Sequence, residues 1–240
     1  MRGLLERPYM RPRPSYMPKY WPVPSDCVLY LEGQQDAYSA TIRDLSGNGN
    51  HGTIAGATWA RNSQGLWGLS FDGVDDVVSC GTPASLNALT GNMYIEAWIN
   101  STSLGESDTG RIVDKAQGAA EGFYLFTEAT ATVQFKCFIG GVGKTATAPI
   151  NKVPFGTTTH IMGGHDGSNV LVIVNGVLTT GDATGGAITA HATRAFTVGN
   201  RSAKDVTFDG LIYLLRVDNI APSVALAKAH YQQERHLFGV

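Results

Sequence analysis

Cysteine is scarce in this chain, and that scarcity excludes several architectures. Cys27, Cys80 and Cys137 are odd in number and far apart, so they build neither a disulfide framework nor a Cys-x-x-Cys metal site. They are expected to act as small buried apolar side chains. No apolar run approaches the ~18 residues of a membrane-spanning helix, and the opening MRGLLERPYM lacks the apolar centre of a signal peptide. Charged residues make up only 16 % of the sequence and leave a formal charge of −2. Glycine is plentiful instead, with 29 residues, beside 43 % apolar and 9 % aromatic residues. That composition suits many short strands joined by tight turns. A chain of 240 residues can bury a substantial core, and one domain plus an arm is expected.

The arm is residues 1–25. Its stretch RPYMRPRPSYMPKYWPVP carries prolines at 8, 12, 14, 18, 22 and 24, each of which deletes a backbone donor and restricts the residue before it. Helix and central strand are excluded, leaving extended or polyproline II chain. Up to Ser25 there are five cations against Glu6 alone, so the arm carries +4 and the remainder −6. Five cations diluted by proline are too few for a nucleic-acid surface. A pre-extended segment loses little entropy on docking, so Arg7, Arg11 and Arg13 with Tyr9, Tyr16, Tyr20 and Trp21 are expected to dock onto a partner surface, that of a sister subunit included.

From CVLYLEG onward the pattern is that of strands bounded by Gly, Asn and Asp. In MYIEAWIN, Tyr94, Glu96, Trp98 and Asn100 alternate with Met93, Ile95, Ala97 and Ile99, so one face enters a core and the other meets solvent or a second layer. VIVNGVL places Asn175-Gly176 between two apolar runs, a hairpin signal. The segment after Ala221 differs, and a single closing helix is expected from about Pro222 to His236. The fold class is therefore all-β, an antiparallel sandwich in residues 26–240 ending in one helix.

Several blocks in order carry a family resemblance: RDLSGNGNHGTIAGATW, LSFDGVDDVVSCG, YIEAWIN, RIVDK with GFYLF, HDGSNVLVIVNGVL, FTVGNRS and FDGLIYLLRVDNIA. From about Val28 to the C-terminus the chain resembles the laminin-G-like, concanavalin A-like jelly-roll family. The resemblance implies two facing antiparallel sheets. Two departures stand out: Phe155 where the family usually has Trp, and PSVALAKAH where acidic residues usually open the helix. Some loops of that family bind calcium, and Asp44, Asn48 and Asp209 offer the hard oxygen ligands such an ion takes. Their bland reading is turn chemistry, and no cofactor is required.

Catalysis finds little support. Jelly-roll glucanases place acid and nucleophile on one strand, but the nearest stretch here, Glu106 to Arg111 (ESDTGR), puts arginine at the second carboxylate and lies in a glycine-bearing loop. GGVGKT, residues 140–145, lacks the first glycine of a phosphate loop and reads as a hairpin turn. His160 and His165, five apart on a strand, fall on opposite faces. Glu96, Glu106 and Asp108 are the carboxylates a hydrolase would have to use. Sugar binding needs aromatic platforms beside fixed polar groups. Trp59 and Trp67 flank a turn-rich loop, and Arg111, His165, Asn200 and Arg201 lie in or beside others; these are the candidate glycan contacts.

Together these features predict a non-enzymatic structural or accessory protein of a large assembly. The expected setting is a virus or bacteriophage particle in which other capsid or tail subunits are the partners, a homo-oligomer forms and the lectin-like domain faces outward. The alternative is a glycan-binding module of a cell-surface or exported protein.

Overall fold

In a computed structural model of the chain, residues 23–118 and 120–240 are described. The expected docking residues Arg7, Tyr9, Arg11, Arg13, Tyr16, Tyr20 and Trp21 lie outside them. The strands are β1 (Cys27–Leu31), β2 (Thr41–Ile42), β3 (Gly52–Ala55), β4 (Thr58–Arg61), β5 (Trp67–Asp72), β6 (Val77–Ser79), β7 (Met93–Ser101), β8 (Arg111–Gln117), β9 (Glu121–Glu128) and β10 (Thr132–Ile139). They continue with β11 (Val142–Thr147), β12 (Thr158–His165), β13 (Asn169–Val174), β14 (Val177–Ala183), β15 (Thr197–Val198) and β16 (Asp209–Asp218). A short helix α1 (Ala84–Asn87) and a longer one, α2 (Val224–Glu234), complete the list.

The first sheet runs β14-β13-β12-β7-β16-β5-β4, and the second runs β11-β10-β9-β8-β15-β6-β3-β2. Every strand pairing is antiparallel. The long strand β16 is shared: its first half pairs with β5 and its second half with β1. Between the sheets lies the apolar core, in which Ile95, Ala97 and Ile99 of β7 face Val113, Phe123, Leu125 and Phe135. Each large apolar side chain enclosed there contributes roughly 1.5–3 kcal/mol. The expected all-β jelly-roll sandwich with a C-terminal helix is therefore the observed fold.

Turn chemistry follows the sequence closely. Asn175 and Gly176 both adopt positive φ, 48° and 77°, the backbone of a type I′ hairpin, and GGVGKT begins with the β10–β11 turn, Gly140 and Gly141 at 55° and 79°, and continues into β11. The three cysteines are buried and free, and burial pushes the Cys80 and Cys137 thiols up to about 12.

The free edge of β1 is closed by side chains. Asp44 accepts four hydrogen bonds, from the backbone amides of Tyr30, Ser46 and Asn50 and from the Ser46 hydroxyl. Asn48 and Asn50 donate to the Val28 carbonyl. The loop thus occupies donors and acceptors that would otherwise invite another strand.

The outer face of the first sheet is covered by a second layer. Ser223 caps α2, its hydroxyl accepting the Leu226 amide at 3.1 Å, and the helix runs into a 3-10 turn, Arg235–Leu237. Ala227 packs on Tyr94, Met162 and Ile173. Phe238 stacks on Trp98 with ring centroids 4.2 Å apart. Tyr94, Glu96 and Trp98 thus face this layer, and Met93, Ile95, Ala97 and Ile99 face the core.

Candidate functional site

An exposed aromatic corner lies where β4 meets β5. Arg61 is the register partner of Trp67, and its guanidinium carbon sits 4.2 Å from the centre of the indole, a cation–π contact. Gln34 holds the Trp67 backbone from the other side, donating to its carbonyl at 2.8 Å and accepting its amide at 3.0 Å. Tyr38 stands edge-on to Trp67, with centroids 5.1 Å apart and planes at 75°. Tyr38 is 82 % exposed and has φ of 71°, a conformation that a bulky residue adopts only when its surroundings impose it.

Those surroundings are visible. Asp36 accepts Arg43 Nε at 2.6 Å and the Arg43 amide at 2.8 Å, while its own carbonyl accepts the Ser39 amide at 2.7 Å. Trp59 Nε1 donates to the Ser39 carbonyl at 2.8 Å, and its ring fills the space over Gly33, where any Cβ would collide with it. Trp59 therefore packs against the core and pins the loop that presents Tyr38. Trp67 takes part in the surface corner. Tyr38 and Arg61 were not singled out from sequence; the only local signal was an aromatic in a polar loop.

Arg111 and Arg201 come together on the outer face of the second sheet. Arg111 lies 4.0 Å over the Tyr124 ring and 4.7 Å from Phe126, with Nε donating to Asp114 at 3.2 Å. Burial pulls the Arg111 guanidinium down from its ordinary value and pushes the Asp114 carboxyl up. Arg201 forms a bidentate pair with Asp205 on the exposed loop beside it. Each arginine thus has its own carboxylate, and the patch offers paired donors and acceptors rather than free positive charge.

Two expected contacts are corrected by burial. His165 is 1 % exposed; its ring nitrogens lie 3.1 Å from the Gly91 carbonyl and 3.0 Å from the Thr184 hydroxyl. Asn200 is fully buried, with its side chain spent on Thr207 and on the amides of Arg201 and Val206. Both fasten loops and cannot meet a ligand. The polar pattern that suggested them is the pattern of buried loop satisfaction.

The calcium candidates Asp44, Asn48 and Asp209 do not converge on one site. Asp209 precedes Arg216 by seven residues on one strand, roughly 23 Å, whereas Asp44 bonds Tyr30, the register partner of Arg216. Asp209 instead pairs with Asp72, beside Asp75 and Asp76. The carboxylates of Asp72, Asp75 and Asp76 offer oxygens within 4.8 Å of one another, and this is where hard cation ligands converge among the described residues.

The carboxylates considered for hydrolysis do not assemble a site. Glu96 is buried beneath α2, and Glu106 accepts the Thr207 amide and hydroxyl in the loop that also holds Asp108.

Two facing antiparallel sheets with loop-borne aromatic and polar groups at the surface define a lectin-like jelly roll. Residues 71–225, more than half of the chain, match the concanavalin A-like lectin/glucanases superfamily, and the chain belongs to it. Among solved structures, it resembles the binding domain of Paraclostridial Mosquitocidal Protein 1 at 11 % identity and a TM-score of 0.68, covering 88 % of this chain and 53 % of that one. It also resembles the binding domain of botulinum neurotoxin DC in complex with SialylT, at 11 % identity and 0.64, covering 88 % and 52 %. A third is domain 4 of AbnA, an extracellular arabinanase from Geobacillus stearothermophilus, in complex with arabinotriose: 15 % identity, 0.59, covering 85 % and 97 %. The chain spans about half the length of the toxin binding domains it matches. No curated protein sequence matches it.

Proposed function

We propose that the chain is a non-catalytic carbohydrate-binding module whose ligand stacks in the corner formed by Tyr38 and Trp67. The observation that carries this reading is an exposed tyrosine held at positive φ against a tryptophan, with Arg61 beside it. A pyranose presents an apolar face to such rings while its hydroxyls need fixed polar partners, and Arg61 is at hand beside the Trp67 ring. Solved neighbours of this fold include complexes with SialylT and arabinotriose, which supports a sugar as the ligand class. The test is a glycan array on the full chain, followed by titration calorimetry. Tyr38→Ala should weaken the best ligand by about tenfold or more, as expected for a lost stacking platform, and Tyr38→Phe should retain most of the affinity. Unchanged binding by Tyr38→Ala and Trp67→Ala sinks the assignment.

The charge asymmetry favours a second role for the same molecule. An arm of +4, residues 1–25, attached to a domain of −6, residues 26–240, suits docking onto an acidic surface of a sister copy or of another subunit in a particle such as a virion. Display on a cell surface is the alternative. Light scattering on the full chain and on a chain lacking residues 1–25 tests it. An oligomer that becomes a folded monomer on truncation supports the docking arm, and a monomer in both cases removes the homo-oligomer.

A further inference from the structure

Four arginines of the domain hold carboxylates: Arg43 pairs with Asp36, Arg111 with Asp114, Arg201 with Asp205, and Arg216 with Glu96 and Glu234. A fifth, Arg235, donates to a Val240 oxygen at 2.9 Å. Arg61 departs from that pattern. It is exposed at the end of β4, it rests over the Trp67 ring, and no acidic side chain pairs with it among the described residues. Contact with an aromatic face uses the charge of a guanidinium but leaves its in-plane N–H donors to water or to a ligand.

Charge around the corner points the same way. The two segments that build it, residues 33–43 and 58–68, hold Arg43 and Arg61 against Asp36 alone, a net of +1 in a domain of −6. Both Asp36 oxygens are taken, one by Arg43 Nε and the other by the Arg43 amide, which blunts any repulsion of an incoming anion. Glu32, the next acid along the chain, is buried and accepts the Tyr30 hydroxyl. An exposed cation steadied by an indole, beside a tyrosine presented at positive φ, is preorganised to meet an anionic group carried on a ring.

We propose that the sugar taken up by this corner is an acidic one, whose carboxylate pairs with Arg61 while its ring packs on Tyr38. The inference rests on the corner being the ligand site. A carboxylate matches the guanidinium fork in a bidentate pair, and both the uronic acids of polysaccharides and the terminal sialic acids of glycans carry one. A neutral sugar offers hydroxyls alone and leaves the charge of Arg61 unmatched. Because the cation is exposed, the gain from the pair is modest, about five- to tenfold in affinity, and it falls as salt rises.

Titration calorimetry on the full chain with matched ligands separates charge from ring packing: trigalacturonic acid against its methyl ester, and sialyllactose against lactose. At low salt one of the acids should bind about five- to tenfold tighter than its neutral counterpart, and the ratio should approach one at about 0.5 M salt. Which pair shows the preference tells a uronic acid from a sialic acid. Arg61→Gln should bring the ratio to about one, and Arg61→Lys, which keeps the charge without the planar fork, should fall between. Tyr38→Ala should weaken acid and neutral ligand alike. Equal affinity within both pairs, with binding still lost in Tyr38→Ala, overturns the acidic ligand and leaves the corner standing. Binding that ignores both Tyr38→Ala and Trp67→Ala overturns the two together. A preference that survives Arg61→Gln, or no binding of either acid, also overturns the proposal.

Discussion

The Tyr30 amide donates to Asp44 Oδ1 at 3.0 Å across fourteen residues of sequence, and this bond anchors the loop that seals the edge of β1. With all four of its hydrogen bonds made to the protein's own backbone and Ser46, Asp44 acts as a structural acceptor. Asp44→Ala should therefore destabilise the domain by about 2–4 kcal/mol, from several buried donors left unmet. Urea unfolding checks the size, and the loss should be the same with calcium or with chelator present. A loss that appears only with calcium would return Asp44 to the role of ligand.

Gly199 has φ of 79°, and a Cβ there would overlap the Phe71 ring in the centre of the core. Backbone strain and steric conflict add, so Gly199→Ala is expected to cost about 3–5 kcal/mol and to lower soluble yield. Gly47 has a similar φ of 93° with open space around it, and Gly47→Ala should cost only about 1 kcal/mol. Thermal melts of the pair separate packing from backbone strain.

The contrast between the two layers explains what could be read from sequence. Period-two alternation in MYIEAWIN and the Asn175-Gly176 turn are local signals, and both led to the observed strands and hairpin. The helix was expected at Pro222–His236 and is found at Val224–Glu234 with its 3-10 extension. What the local sequence does not show is that His230 and Glu234 meet Glu96 and Arg216 beneath it. Those partners are 134 and 18 residues away, and no periodicity encodes such a meeting. The same holds for the ligand corner: Trp67 was legible as a candidate, whereas Tyr38 gains its meaning from a loop pinned by Trp59 and Asp36. His165 and Asn200 failed as contacts because a polar residue near a turn is as often a buried fastener as a recognition group.

Arg61 and Trp67 should couple in ligand binding. With the guanidinium 4.2 Å over the ring, Arg61 both orients the indole and offers donors at its rim. Arg61→Ala is expected to weaken sugar binding by about three- to tenfold, consistent with roughly 0.5–1 kcal/mol for an exposed cation–π contact plus one hydrogen bond. Calorimetry on the single and double variants with Trp67→Ala checks it; strict additivity of the two losses would show that the residues act separately.

Lys115 gives the domain a pH dependence of its own. The side chain is 2 % exposed, donating to Asn87 Oδ1 at 2.7 Å and to the Arg194 carbonyl at 3.1 Å, and burial pushes its amine down to about 8. An unfolded chain restores the ordinary lysine value of about 10.4. Between those two values the unfolded state holds a proton that the folded state has released, so stability rises with pH across that window. Below about pH 8 the cost is fully present; above about pH 10.4 it is gone. Lys115→Met lacks this term, and the stability of wild type relative to the variant should therefore improve by about 2 kcal/mol between pH 7 and pH 10. Urea midpoints for both proteins at the two pH values give the difference directly. Parallel shifts would mean that the Lys115 amine titrates as freely in the fold as in the unfolded chain.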